Sequence, residues 1–276
     1  MYDNVIEGDL VQENYGLKGK INSIFDHVIN IETDQHLGFA ITDQSVILAP
    51  YHIKLQNNKF NKIINHINES SNIIIKKDKI IFDEKVINYK SKKIYNGIIE
   101  KTYYKKEKLI ENTEKVLKNF AKSGSLDNTI LNYQKIISKK VNKSNLLQKH
   151  FYTILKEIIN GKKSVNDLLG LGIGLTPTGD DFIVGYLSAV ESGLCKDKYH
   201  FIDVLTTKDI FNKTTRVSAL HLKGVLEHRY NAKLVELYKN IDDSDIIYIN
   251  NAKELIKIGS TSGVDMLSGI YFALTM

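Results

Sequence analysis

The stretch Leu168-Leu-Gly-Leu-Gly-Ile-Gly-Leu-Thr-Pro-Thr-Gly-Asp-Asp-Phe-Ile-Val-Gly-Tyr-Leu187 constrains this chain more than any other. Gly170, Gly172 and Gly174 alternate, Pro177 follows, and Thr178 and Gly179 lead into the adjacent acids Asp180 and Asp181. Alternating glycines permit positive φ and a close approach of backbone to another group. Phe182, Ile183, Tyr186, Leu187 and Val190 then recur at helical spacing. The pattern predicts a tight glycine loop feeding a buried helix. Thr178 and Asp181 stand at the spacing of a capping box, with Thr178 as N-cap. The unpaired N–H groups of such a helix start favour an anion, whereas two carboxylates at the same end oppose one. Either the anion sits on the loop amides or a cation intervenes. Capping accounts for Thr178 and Asp181. It requires neither Asp180 nor three glycines and a proline upstream.

A second stretch, Gly259-Ser-Thr-Ser-Gly-Val-Asp-Met-Leu-Ser-Gly-Ile-Tyr-Phe-Ala-Leu274, echoes the first at an offset of 84 positions. Thr178 meets Ser262, Gly179 meets Gly263, Asp181 meets Asp265 and Gly185 meets Gly269. The apolar face Phe182, Ile183, Tyr186, Leu187, Val190 meets Met266, Leu267, Ile270, Tyr271, Leu274. Two independent capped helices would share a start motif. They would not share a mid-helix glycine, which costs about 1 kcal/mol relative to alanine. The register predicts that helices 179–192 and 263–275 pack together at Gly185 and Gly269. A roughly parallel or steeply crossed pair would put Thr178 and Ser262 on one rim, their free N–H groups converging on one anion. An antiparallel pair would put the caps ~20 Å apart and forbid a shared site. Asp180 has no counterpart, since Val264 stands there, which marks it for chemistry beyond capping.

Around this pair, residues 1–105 are expected to be β-rich and 106–276 mainly helical, an α+β organisation. Lys20–Glu32 alternates as a strand ending at a Thr33-Asp34-Gln35 turn. His36–Thr42 and Ser45–Leu55 follow as strands, with Pro50 marking an edge or bend. A helix is expected at Asn57–Ser70, a hairpin at Asn72–Phe82 turning at Lys76-Lys77-Asp78-Lys79, and a strand at Val86–Tyr95. Helices are expected at Leu109–Lys122, Thr129–Val141, Asn145–Asn160, Lys198–Phe211, Thr214–Tyr230, Asn231–Asn240 and Ser244–Ile258, with stops at Gly124 and Gly161.

The formal charge of +6 is almost wholly lysine, because only Arg216 and Arg229 are arginines. The lysines are spread through Asn- and Ile-rich segments rather than focused in a patch with aromatics, which argues against a nucleic-acid groove. The single cysteine, Cys195, forms no internal disulfide and fits a reducing compartment. The first ten residues lack the basic start and apolar core of a signal peptide. No apolar run reaches the ~20 residues of a membrane span. A soluble cytoplasmic protein is expected.

Thr214-Thr-Arg-Val-Ser218 opens a further helix, which Thr214 or Thr215 can cap. The planar guanidinium of Arg216 grips a carboxylate or phosphate at two points, as lysine cannot. His221 and His228 come with no HExxH or CxxC and make no metal set. There is no Ser-His-Asp order, GxSxG elbow or Walker loop. The glycines at 170–174 do not follow a strand as a dinucleotide fingerprint would.

Gly172-Ile-Gly-Leu-Thr-Pro-Thr-Gly-Asp-Asp181 resembles the GxGLTPSGDD motif of a bacterial family long uncharacterised. Ser260-Thr-Ser-Gly-Val-Asp265 resembles that family's second motif, His-Thr/Ser-Ser-Gly-x-Asp. Thr214–Ser218 and Asn22-Ser-Ile-Phe25 are similar to two further segments. Thr178 stands where serine is usual. Ser260 stands where histidine is common, so no role for that histidine carries over. The family includes the third subunit of oxamate carbamoyltransferase from allantoin-degradation operons. That enzyme interconverts oxalurate plus phosphate with oxamate plus carbamoyl phosphate. The resemblance implies a subunit of such a complex, with companion subunits of which one resembles acyl-CoA synthetases. A non-catalytic anion-binding or scaffolding subunit is the rival reading. On either, a small carboxylate or phosphate would be held by Gly172, Gly174, Thr176, Thr178, Gly179, Thr215, Arg216, Ser218, Thr261, Ser262, Gly263 and Asp265. Asp180 and Asp181 are the candidates for catalysis. Asp180 would either orient an amide N–H or hold a metal, such as Mg²⁺, whose usual protein ligands are carboxylates.

Overall fold

The computed structural model describes residues 5–33, 37–83, 85–120, 126, 130–131, 146–241 and 244–276. The expected Thr33-Asp34-Gln35 turn, the stop at Gly124 and most of the Thr129–Val141 helix lie outside these residues. The strand-rich part ends at Tyr95 and the long helices begin at Lys106, so the α+β organisation holds.

One compact unit comprises Met1–Ile98 with Arg229–Ala232. Its strands are β1 (Val5–Gly8), β2 (Lys18–Phe25), β3 (Val28–Glu32), β4 (Gly38–Thr42), β5 (His52–Lys54), β6 (Asn72–Lys76), β7 (Lys79–Phe82), β8 (Lys85–Asn88) and β9 (Ser91–Tyr95). They form one sheet in the order β8-β7-β6-β2-β3-β4-β5-β1-β9, antiparallel except where β4 meets β5 and β1 meets β9. Alternation puts Ile29, Ile31, Ile73 and Ile75 on the buried face. Phe60 and Ile63 of helix α1 (Asn57–Ile64) pack into the same core. The hairpin at 72–82 turns as expected, with Asp78 at φ 60, a left-handed conformation that aspartate tolerates.

Three strand expectations need correction. Lys20–Glu32 is not one strand: it folds back between Phe25 and Val28, which face each other across β2 and β3. Ile21 of the first arm and Ile29 and Ile31 of the second serve one core, so apolar residues recur on both sides of the turn. Of Ser45–Leu55, only His52–Lys54 is strand. Pro50 lacks an N–H for a ladder, and Asp43 captures the Ser45 N–H at 2.8 Å instead. The Val86–Tyr95 segment likewise divides into β8 and β9. Arg229 is a brace here, its Nε donating to Asp9 Oδ2 at 2.7 Å.

The second unit comprises Ile99–His228 and Lys233–Met276. Its helices are α2 (Lys106–Phe120), α3 (Leu146–Ile159), α4 (Thr178–Glu191), α5 (Phe201–Val204), α6 (Thr207–Lys213), α7 (Arg216–Leu226), α8 (Ala232–Tyr238), α9 (Asp245–Leu255) and α10 (Ser262–Thr275). The single helix expected at Lys198–Phe211 is two. The break falls at Leu205, after which the Thr206 hydroxyl accepts the Asp209 N–H and starts α6 afresh. No helix among the described residues is long and apolar enough to cross a membrane.

Helices α4 and α10 are buried on every side, as core helices are. Phe182 of α4 meets Phe151 of α3 at 5.0 Å and Phe272 of α10 at 5.5 Å, and Tyr186 stacks on Phe201 at 4.2 Å. The expected pairing of α4 with α10 is present. A Cβ on Gly185 would lie 1.9 Å from the Met266 carbonyl oxygen, and one on Gly269 would lie 2.1 Å from that of Phe182. The offset of 84 that relates the glycines also relates Phe182 to Met266. The two helices therefore touch through the same positions, each glycine against the other's backbone.

Candidate functional site: the paired helix starts

The likeness of the two motifs extends upstream of the helices. Gly179 N–H donates to Leu171 O at 2.8 Å, and Gly263 N–H donates to Ile258 O at 3.1 Å. A Cβ on either glycine would lie 2.0 Å from a carbonyl oxygen, that of Leu168 or that of Leu255. Gly172 and Gly259, both at positive φ, begin the two loops. The loop carbonyl lies eight positions before its glycine in the first motif and five in the second. The first loop thus carries three extra residues, and matching Gly172 to Gly259 and Thr178 to Ser262 makes them Ile173-Gly174-Leu175.

This arrangement overturns the capping box. Pro177, not Thr178, is the N-cap of α4, and no side chain caps it. Thr261 stands at the equivalent place before α10, also without a side-chain cap. The first-turn N–H groups need no hydroxyl. Asp180 and Asp181 N–H donate to Pro177 O, and Val264 and Asp265 N–H donate to Thr261 O. They are therefore not free to converge on an anion either. The caps still share one rim: Thr176 Oγ1 lies 2.8 Å from Ser262 Oγ.

The three acids differ in their partners. Asp180, wholly buried, accepts the Gly170 N–H on Oδ1 at 2.9 Å. Its Oδ2 accepts the Ser218 hydroxyl at 2.7 Å and the Thr214 hydroxyl. Burial raises its carboxyl above the usual range, and these three hydrogen bonds oppose that rise. Asp180 therefore ties the glycine loop to the start of α7. A carboxylate ringed by three donors does not fit a magnesium ion. Among the described residues no group of three or more His, Cys, Asp or Glu could hold a metal.

Asp181 is held by the hydroxyls of Ser262 and Thr176. Its buried Oδ2 has no hydrogen-bond partner among the described residues. Burial, then the nearby Asp265 carboxylate, pushes its carboxyl well above the ordinary range. Asp265, also wholly buried, accepts the Leu126 N–H at 2.8 Å. A buried acid pair of this kind is eased by a proton on one member. Asp181 keeps that proton folded where the unfolded chain has released it. Its contribution therefore lowers stability as pH rises from the ordinary carboxylate range through the raised value. Asp181→Asn removes the conflict and presents an amide donor beside Asp265. The variant is expected to melt above wild type near ~pH 8, with the gap closing toward ~pH 4, where free aspartate takes up its proton. Thermal melts across that range check this. A pH-independent gap would remove the acid pair as its cause.

Arg216 opens α7. Thr215 is its N-cap, accepting the Ser218 N–H at 3.1 Å, and the Thr215 hydroxyl donates to Leu175 O. The guanidinium carbon lies 5.1 Å from the centre of the Phe211 ring. The glycine loop and the arginine helix therefore meet at two tethers, Asp180 and Thr215. The N–H groups of Gly172, Gly174 and Thr176 donate to no backbone carbonyl among the described residues. Of the sequence-derived residues, the structure brings together Gly172–Asp181, Thr215, Arg216, Ser218, Ser262 and Asp265. Gly263 faces the Leu255 and Ile256 backbone and has no open side. Sequence reasoning missed Gly170, Thr214 and Leu126 as partners of the acids. Thr214 had a signal, the doubled threonine before Arg216; the other two act through backbone N–H groups, which a side chain does not advertise.

Among the described residues, the remaining chemistry-bearing side chains form no second site of this kind. Ser45 donates to Asp43 at 2.6 Å while His27 meets the other oxygen of Asp43 at 2.8 Å, so no nucleophile relay exists there. His228 pairs with Glu191 at 2.7 Å. Burial pushes the Cys195 thiol up to about 11, the setting of an unreactive cysteine.

No solved structure matches this chain. A family model described as the oxamate carbamoyltransferase subunit AllH matches residues 168–274, which span both helix starts and α7. A model of the AllH family N-terminal domain matches residues 3–94, the strand-rich part. With most of its length matched by these two models, the chain belongs to the AllH family.

Proposed function

We propose that this chain is a subunit of a carbamoyltransferase complex and that its helical unit holds the small anions of the reaction. The family description supports the first half. The observation that carries the second is the glycine loop at the start of α7: the N–H groups of Gly172, Gly174 and Thr176 meet no backbone carbonyl among the described residues, and Leu175 O is held by Thr215, the neighbour of Arg216. Backbone N–H groups, a helix start and a guanidinium are the donors that carboxylates and phosphates need. On this reading the ligands are oxamate or oxalurate and phosphate or carbamoyl phosphate, within allantoin and purine degradation. The oxamate nitrogen attacks the carbamoyl carbon, the bond to the phosphate oxygen breaks, and the proton lost from nitrogen ends on phosphate. Such a transfer asks the protein chiefly to orient two anions and stabilise developing charge. Companion subunits, one of them resembling an acyl-CoA synthetase, complete the enzyme.

The test is calorimetric titration of phosphate and oxamate into the isolated chain. A charge-assisted hydrogen bond contributes ~1.5–3 kcal/mol, so Arg216→Ala is expected to weaken binding ~10-fold or more. Equal affinity in the two proteins removes Arg216 from the site. A non-catalytic role is the second reading, favoured by the state of the two candidate acids: Asp180 is tied by three donors and Asp181 is buried.

A further inference from the structure

The three extra residues of the first loop carry the most exposed apolar side chain in the motif. Ile173 is 89% exposed and Leu175 46%. The second motif closes the same turn onto the same helix start without them, so the fold of the helical unit does not require this tip. Nor is the tip a loose excursion. Gly170 N–H is held by Asp180, Leu175 O by the Thr215 hydroxyl, and Thr176 lies against Ser262. Gly172 at φ 137 and Gly174 at φ 90 flank Ile173 in conformations that a side-chain-bearing residue rarely adopts. The loop is braced from beneath while its apolar end stands in water. The bracing acid is itself an asymmetry of the repeat, since Val264 occupies the position equivalent to Asp180.

We infer that the Ile173-Gly174-Leu175 tip is a docking knob for a companion subunit of the carbamoyltransferase, inserted into an apolar pocket on that partner. This rests on the proposed function for the existence of the partner. Three features favour that occupant. The family description makes the chain one subunit of an enzyme. The knob is continuous with the open donors of Gly172, Gly174 and Thr176, so a partner seated on it would also roof the anion rim. Carbamoyl transfer gains from that roof, because water competes with the acceptor nitrogen for the activated carbamoyl group and screens the donors. The site would then be completed between subunits rather than within this chain.

The test uses the full-length chain and its purified companion subunits. Affinity is measured by interferometry for wild type, Ile173→Ser and Leu175→Ser, with melting temperatures confirming intact folds. Ile173→Ser is expected to lose at least ~10-fold in affinity for the partner, the scale of one buried aliphatic side chain. Its melting temperature should be unchanged, since the side chain is already in solvent. Hydrogen exchange at residues 172–176 is expected to slow when the companion is added. Full partner affinity in both serine variants, or unaltered exchange at the tip in the complex, overturns the inference. A wild-type chain that binds its companion but neither phosphate nor oxamate would sink the anion-site reading and leave the docking result standing.

Discussion

Alanine at Gly269 or at Gly185 is expected to destabilise the helical unit by roughly 4 kcal/mol or more, the range reserved for a few specific mechanisms. The added methyl would lie 2.1 Å from Phe182 O in one case and 1.9 Å from Met266 O in the other. Both obstacles are backbone on a fully buried helix, so neither can swing aside as a side chain would. The helices must part, and the contacts around Phe182 and Phe272 loosen with them. Alanine's gain of about 1 kcal/mol in helix propensity is too small to offset this. Ordinary overpacking costs ~1–3 kcal/mol because side chains adjust, and here they are not the obstacle. Against a total stability of ~5–15 kcal/mol, either variant should unfold at markedly lower urea. The two positions are related by the repeat, so their effects should be similar. The double variant should lose less than the sum, since helices already parted for one methyl have room for the other. Urea denaturation of the four proteins measures this. A Gly269→Ala or Gly185→Ala variant whose midpoint is unmoved would show that α4 and α10 do not cross at their glycines.

The second large effect is expected at Asp180. Asp180→Ala removes the one acceptor shared by the Gly170 N–H and the hydroxyls of Thr214 and Ser218. A buried donor left unpaired costs ~1–3 kcal/mol. Hydroxyls can turn to other partners, but the Gly170 N–H cannot. A net loss of roughly 3–5 kcal/mol is expected, as when one side of a buried charged network is removed. The loop should then be held to α7 by the Thr215 tether alone, and phosphate affinity should fall as the loop loosens. Asp180→Asn is the informative comparison. Its carbonyl can keep the Gly170 N–H, and its amide can donate to the two hydroxyls once they rotate to accept. It should therefore retain most of the stability that alanine loses. If asparagine and alanine destabilise equally, a charged acceptor is required, and the brace is electrostatic rather than geometric. If asparagine keeps the fold, the assembly and phosphate binding yet abolishes turnover of the complex, Asp180 has a chemical role beyond its three hydrogen bonds.

Which features were legible in the sequence follows from what each depends on. The pairing of α4 with α10 was legible because a mid-helix glycine is unfavourable unless something needs its missing Cβ. Two such glycines in one register point to each other. The Lys76–Lys79 turn was legible because a polar break between apolar runs, with aspartate to take positive φ, specifies a hairpin locally. Arg216 stood out by rarity and does open α7 beside the glycine loop. These readings use information carried within one segment, or in the matching of two.

What the tertiary structure alone decided is the destination of polar groups. Thr178 and Asp181 have the spacing of a capping box, but Pro177 O and Leu171 O reach the first-turn N–H groups before any hydroxyl does. The same acid spacing then yields a sealed Asp181 beside Asp265, from a segment 84 positions away. Asp180 reads as a chemical group in the sequence because capping does not require it and the repeat places Val264 at its equivalent position. Only the fold supplies Thr214, Ser218 and the Gly170 N–H around it. The sheet order and the turn inside Lys20–Glu32 were likewise hidden, since apolar alternation reports which face is buried and not which strand lies alongside. Local propensity and periodicity are properties of neighbouring residues. A hydrogen-bond partner from elsewhere in the chain, or a backbone amide, leaves no mark on them.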